Sequence, residues 1–282
     1  MTKEQIIENI ISVSENLRLQ TETKYKCKNW NADVLVTYQT YKIAFNICKT
    51  PRKIEETYKI MRKDRVCGCW LLMPSNTSYT ISQNLPCFKL TEDSANLYVT
   101  INSNIYNENN CEILNFDTFI SNLIKGNIRF TKSIIVKYIE VCFIKIKCWN
   151  CNKINNIYFI NRYISSDGIS VSCDDFQLDD YENYNYLENL EFNPTIINAI
   201  ENYIKKHPTK NLIMGKIKSR YSNTMKTSYM SFGCAFCDKL FGKFYIQEVK
   251  DEIIYSTDLL QKEIIEIPQN FSIPANKWYK KI

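Results

Sequence analysis

The sequence lacks any apolar run approaching the ~20 residues that a membrane-spanning helix needs, which argues against a membrane partner. It also shows no secretory signal: Met1-Thr2-Lys3-Glu4-Gln5 opens straight into an amphipathic pattern. Glycine and proline are scarce, at 6 and 7 of 282 residues, beside abundant Asn, Ile, Lys and Tyr. That balance reads as the codon bias of an AT-rich genome and carries no functional signal. Histidine occurs once, at His207, beside an expected helix end where a structural role fits better than catalysis. Strong charge of one sign is also missing. The formal charge is +6 and the isoelectric point near 8.6, which permits a nucleic-acid partner without demanding one.

What is present is apolar bulk and sulfur. Hydrophobic residues make up 45 %, enough for a sizeable core in one large domain or two ordinary ones. Twelve cysteines without a secretory signal argue for reduced thiols and metal sites in a cytoplasmic protein, not for a disulfide framework. Cys67 and Cys69 lie in an apolar run, VCGCWLLM, and read as buried hydrophobes.

The hydrophobic periodicity predicts a helix over 3–18, with Thr2 and Gln5 forming a capping box. Three strands follow at Glu22–Lys28, Ala32–Tyr38 and Lys42–Cys48. Pro51 marks a helix start, with a stripe through Ile54, Tyr58 and Met61 to about Arg65, and Val66–Met73 reads as a buried strand. The order is α-β-β-β-α-β. Short strands are expected at Cys87–Leu90 and Leu97–Ile101, and an exposed Asn-rich loop at Asn102–Asn110 marks a soft boundary. Asp117–Lys125 reads as a helix closed by Gly126, and Ser133–Lys147 as a β-branched strand. The acidic stretch 174–191 reads as a solvated loop. A helix over Thr195–Lys206 follows it, started by Asn193-Pro194 and closed by His207-Pro208.

Two C-x-x-C pairs stand out, Cys148/Cys151 and Cys234/Cys237. One pair alone would be weak evidence, but the two share a longer pattern. CWNCNKINNIYFI (148–160) aligns with CAFCDKLFGKFYI (234–246), so the pair is a short internal repeat. Four thiolates from two such turns make a closed tetrahedral site that suits structural Zn²⁺ and leaves no open position for catalysis. Cys173 is a spare ligand candidate. Just before the second pair runs a basic, aromatic stretch containing Lys216, Lys218, Arg220, Tyr221, Lys226 and Tyr229. Its cations suit phosphates and its tyrosines suit stacking on bases, while a solvated strand edge is the competing reading.

The first region carries a second constellation. Asp33 opens the second strand, and on the third strand Ile43, Phe45 and Ile47 alternate with Ala44, Asn46 and Cys48. A metal-dependent nuclease needs neighbouring carboxylates to hold Mg²⁺, with a Lys or Gln beside them to position water or steady developing charge.

On these residues the chain resembles the PD-(D/E)xK nuclease-like domain of the competence-protein (CoiA)-like family. The likeness is carried by Ala32-Asp33-Val34-Leu35, Ile43-Ala44-Phe45, Thr50-Pro51-Arg52, Glu55-Glu56-Thr57 and Gly68-Cys69-Trp70. Cys148-x-x-Cys151 and KIKSRYSNTMKTSYMSFGCAFCDKLFGKF resemble the zinc-binding tail of such bacterial proteins. The resemblance implies a DNA-linked role, with Asp33 as the first acid. It also exposes a departure: Asn46 stands where the strand carboxylate belongs, and Cys48 where Lys or Gln belongs. Glu15 on the first helix is a candidate extra ligand, and Glu55 or Glu56 a migrated acid.

The expectation is therefore an α+β protein in two parts. Residues 1–100 form a restriction-endonuclease-like α/β core, and 101–282 form a zinc-stapled β-rich domain with a helical insert at about 174–206. The leading functional reading is a DNA-binding or DNA-processing protein with a degenerate active site. An active Mg²⁺-dependent nuclease with a migrated acid is one alternative, and a zinc-scaffolded protein-interaction module is another. RNA stays open as the nucleic-acid partner.

Overall fold

A computed structural model describes residues 2–50, 52–74, 84–93, 96–101, 112–173, 181–255 and 261–281. The chain divides into two compact units, residues 1–133 with 275–282, and residues 134–274.

The first unit begins with α1 (Lys3–Asn16). Thr2 accepts from the Gln5 amide while the Gln5 side chain accepts from the Thr2 amide, so the expected capping box is in place. The strands β1 (Gln20–Lys26), β2 (Asn31–Tyr38) and β3 (Tyr41–Cys48) then pair antiparallel. The helix α2 (Ile54–Lys63) crosses over to β4 (Val66–Leu72), which lies parallel to β3. This is the α-β-β-β-α-β order of the sequence. Pro51 lies outside the described residues, and α2 starts after Lys53, whose backbone is left-handed at φ 51°.

Three more strands widen the sheet: β5 (Cys87–Glu92), β6 (Leu97–Ile101) and β7 (Glu112–Asn115), giving seven strands in sequence order. β5 runs parallel to β4, and β5, β6 and β7 pair antiparallel, so the sheet is mixed. The stretch 102–110 lies outside the described residues. The helix α3 (Phe116–Ile124) follows, and Gly126 takes a left-handed φ of 72° just past its end, as a helix stop requires.

Each face of this sheet has its own core, because β3 alternates. Ile43, Phe45 and Ile47 pack with Ile6 and Ile10 of α1 and Phe119 of α3. Ala44 faces the other way, with Ile54 and Met61 of α2, Trp70 and Leu35. Gly68 is required beneath Trp70, since a Cβ there would lie 2.6 Å from the indole. The closing residues complete the first core: Trp278 packs edge-on to Phe88 at 5.2 Å.

The two compact units divide after Ser133, whereas the sequence reading sets a soft boundary near residue 100. β7 belongs to the first unit as the edge strand of its sheet, α3 because it packs on α1's side of that sheet, and 275–282 return to it. None of this has a local signal in the sequence.

The second unit is built on a four-stranded sheet, in the order β10 (Ser170–Val171), β9 (Ile154–Ser165), β8 (Ile128–Lys147) and β13 (Gln261–Lys280). The division between the units falls within β8 and within β13. The helices α4 (Tyr181–Asn189) and α5 (Pro194–Lys206) flank a short 3₁₀ turn over Leu190–Phe192. Tyr158 and Tyr163 of β9 donate to the carbonyls of Glu191 and Leu187, at 2.7 and 2.8 Å. The acidic stretch is thus helical from residue 181 and not a solvated loop, because Leu187 and Leu190 are buried. Its first part, 174–180, lies outside the described residues. His207 closes α5 as expected, with Nδ1 2.8 Å from the Tyr203 carbonyl and its ring stacked on Tyr203. A hairpin of β11 (Lys218–Ser222) and β12 (Thr227–Ser231) leads to α6 (Lys243–Tyr255).

Candidate metal centre and the acid cluster

The first C-x-x-C pair is the turn of the β8–β9 hairpin, since Lys147 pairs with Ile154. The second follows β12. Both turns have the same construction. The Cys148 amide donates to the Lys153 carbonyl and the Cys234 amide to the Lys239 carbonyl, each at 2.9 Å. The Asn152 and Asp238 amides donate back to the Cys148 and Cys234 carbonyls, again at 2.9 Å. Asn152 and Asp238 both take left-handed backbone, at φ 60° and 59°, a conformation Asn and Asp tolerate better than most residues. The repeat in the sequence is thus a repeat of backbone geometry.

The four sulfurs converge. Cys148 and Cys237 stand 3.6 Å apart and Cys151 and Cys234 3.5 Å apart, with all four Sγ within 4.8 Å of one another. Tetrahedral Zn–S bonds of about 2.3 Å would set the sulfurs about 3.8 Å apart, so the set could hold a metal ion of that kind. Cys173 is not part of the group among the described residues.

Nitrogen donors surround the sulfurs and soften their charge. The Phe236 amide approaches Cys234 Sγ at 3.4 Å, and Asn150 Nδ2 approaches Cys237 Sγ at 3.6 Å. Asn155 is fully buried between the turns. Its Nδ2 donates to the Lys153 carbonyl and Cys234 Sγ, and its Oδ1 accepts from the Ala235 amide at 2.7 Å. Burial opposes ionisation of Cys234, but the amides of Phe236 and Cys237, with Cys151 and Asn155, outweigh it and draw the thiol down to about 6. Its partner Cys151 moves the other way: the Lys153 backbone favours its thiolate, but burial and the three neighbouring sulfurs push it up to about 12. The two titrate as a pair, and binding a metal would displace the proton that Cys151 keeps.

The basic hairpin divides into two kinds of residue. Arg220 is buried, so it is not presented to phosphate. Its guanidinium donates to Asp238 Oδ1 at 2.6 Å and to the carbonyls of Ser231 and Lys216 at 2.7 and 2.8 Å. Asp238 sits in the second cysteine turn, so Arg220 ties the hairpin to that turn. Lys218 reaches the same carboxylate at 2.6 Å while remaining exposed. Lys216, Lys226 and Tyr221 are exposed, and Tyr229 is half-buried beneath the Lys243 ammonium, 5.6 Å from the ring centre. Two glycines allow the close packing: a Cβ at Gly215 would lie 2.2 Å from the Gly233 carbonyl, and one at Gly233 would lie 2.4 Å from Arg220 Cζ.

In the first unit Asp33, Asn46 and Cys48 sit on neighbouring strands. Asp33 Oδ2 accepts from the Ile47 amide at 2.7 Å, and Oδ1 pairs with Lys3 Nζ at 2.7 Å. Cys48 is pushed up by burial; Lys3 opposes this and Asp33 adds to it, so both charges lie within its electrostatic reach. Asn46 Nδ2 is buried with no hydrogen-bond partner among the described residues. Glu15 is not brought to the cluster. It lies twelve residues along α1 from Lys3, about 18 Å of helix, and is exposed. Glu55 is exposed and pairs with Lys59 one turn on. Glu56 is exposed on the same helix.

What these features define is an α+β protein with mixed sheets and a four-cysteine cluster that could bind a metal ion. No helix among the described residues is long and apolar enough to cross a membrane. No protein-family model matches the chain, and neither does any curated protein or solved structure.

Proposed function

We propose that this chain is a DNA-binding protein on a nuclease-like scaffold that no longer cleaves, with a structural Zn²⁺ in its second unit. The observation that carries the reading is the state of Asp33. One of its oxygens is taken by the Ile47 amide and the other by the Lys3 ammonium. Mg²⁺ prefers several hard oxygen ligands in octahedral array. Here Asn46 adds no charge, Cys48 is a poor partner for Mg²⁺, and Glu15 points to no shared site. The ammonium of Lys3 neutralises the lone acid in place of a metal ion. The resemblance to the CoiA-like nuclease domain supports the scaffold. Exposed Tyr221 and Lys226, on the hairpin tied to the cysteine cluster, and Lys216, two residues before it, support DNA contact. With zinc in place, the four cysteines would hold it without an open position, so its contribution is to fasten the unit.

The test is cleavage and binding of DNA by zinc-loaded protein with Mg²⁺ or Mn²⁺. Binding without cleavage, unchanged by Asp33→Ala, is expected. Neutralising Lys216 and Lys226 to Ala should weaken binding and reduce the salt slope by about one for each phosphate-bound lysine removed. Cleavage that disappears with Asp33→Ala would overturn the non-cleaving assignment. Activity appearing only with Asn46→Glu and Cys48→Lys would show a scaffold whose chemistry has been switched off.

A further inference from the structure

The cysteine turns do more than supply sulfur, because both hold aromatic rings out to water. Trp149 lies inside the first C-x-x-C and is 61 % exposed; Phe236 lies inside the second and is also exposed. Phe244, in the first turn of α6, is 73 % exposed. Large aromatic surface left in water is unfavourable, and a group of such rings marks a binding surface more often than chance exposure does.

The rings are positioned. Trp149 Nε1 donates to the Leu240 carbonyl at 2.9 Å, which fixes the indole of the first turn against the exit of the second. Phe236 lies beneath Lys153 Nζ, 4.8 Å from the ring centre, which links the second turn back to the first. Both turns end on sulfurs that lie within 4.8 Å of one another. Trp149 and Phe236 therefore project from one small, cross-braced cap.

The charge around the rings selects the occupant. Residues 148–153 and 234–244 contain three lysines, Lys153, Lys239 and Lys243, and one acid, Asp238. All three lysines are exposed, while Asp238 is taken up by Lys218 and Arg220. An apolar protein surface would have to desolvate those ammonium groups. A flexible polyanion with flat apolar faces would use both features at once. In duplex DNA the base faces are covered by their neighbours, and only unstacked bases can lie on an aromatic ring.

We propose that this cap binds single-stranded DNA, with bases stacked on Trp149 and Phe236 and phosphates held by Lys153, Lys239 and Lys243. The proposal rests on the DNA-binding reading above and adds the strand state and the contact surface.

The chain carries its own probe. Trp30, Trp70 and Trp278 are buried, so quenching of intrinsic fluorescence by added DNA reports on Trp149. The full zinc-loaded chain is titrated with oligothymidylate of about 15 nucleotides and with a duplex of equal length, following fluorescence and anisotropy together. The expected result is quenching by the single strand and not by the duplex. Affinity should fall about tenfold for each of Trp149→Leu and Phe236→Leu, which keep apolar bulk but remove the π-face. Trp149→Phe should keep most of the affinity and lose the quenching. Zinc content and circular dichroism verify that each variant is folded; where a leucine variant is not, quenching of the native chain by the single strand alone and its loss in Trp149→Phe carry the test.

Equal binding of both forms without quenching, sensitive only to Lys216 and Lys226, would overturn the stacking surface and leave the DNA-binding reading standing. Absence of binding to either form would overturn both. A tenfold preference for oligouridylate would overturn the assignment to DNA.

Discussion

Asn155 joins the two cysteine turns through one amide, and nothing around it in the sequence marks it. Asparagine is abundant here, and its partners Cys234 and Ala235 lie 79 and 80 residues away. The cysteines themselves were readable, since their residue type and spacing state the chemistry. Arg220 misled for the same reason that Asn155 hid: a residue's type does not say whether it is buried. Asn155→Ala should lower zinc affinity by about 10- to 100-fold, the usual effect of losing an outer partner of a metal ligand. Competition with a chromophoric chelator measures it, and an unchanged affinity would mean that Asn155 only fills space.

Glu191 offers a second test at this scale. Burial raises its carboxyl from 4.5 to about 7, with Glu188 adding to the rise and Lys250 and Lys243 opposing it. The sign follows from proton binding. Between pH 4.5 and 7 the folded state holds a proton that the unfolded state has released, so stability falls as pH rises through this window. Glu191→Gln removes that dependence. Relative to the native protein the variant should gain stability between pH 5 and pH 8, by up to about 3 kcal/mol. Parallel urea melts at both pH values cancel any shared effect on the metal site. A native protein that gains on the variant instead would mean that Lys250, 3.8 Å away, outweighs burial.

At the level of elements, alternation and helical spacing revealed the first six, with strand ends displaced by up to two residues and the start of α2 by three, from Pro51 to Ile54. β1 begins at Gln20, two residues earlier than the polar run suggests, because the antiparallel ladder to β2 continues to Thr37. The cysteine repeat was also legible, yet its two copies part company after residues 153 and 239. Ile154, with Ile157 and Ile160 beyond it, continues into β9, which pairs with β8. In the second copy Leu240 bridges back to Gly233, and Gly242 then opens the way into α6. Gly233 is thus fixed by its neighbours. Gly233→Ala would drive a methyl into the Arg220 guanidinium and break its hydrogen bonds with Asp238 and Ser231. A loss of about 2–4 kcal/mol is expected in the second unit, together with weaker zinc binding. Thermal melts with and without zinc measure both. No change would show that the guanidinium can leave its site freely.

Over the whole molecule, the two units are closed by different long-range devices, and only one could be read from the sequence. The cysteine pairs announce that segments roughly 80 residues apart meet. The return of 275–282 to the first unit has no such signature, because Trp278 is one aromatic among many until it packs against Phe88 and Phe130. The two devices can be cut separately. Loading the four cysteines with zinc and then stripping it with a chelator should abolish hydrogen-exchange protection across β8, β9 and the β11–β12 hairpin, since metal binding and folding are coupled in sites of this kind. Cys151→Ser should do the same. The seven-stranded sheet should stay protected under either treatment. Trp278→Ala should do the converse, costing the first unit about 3–5 kcal/mol as a large buried ring is deleted, and leaving the zinc content unchanged. If either change instead removes protection from both units together, the division into two separately stabilised bodies is wrong, and the metal and the closing segment serve one cooperative fold.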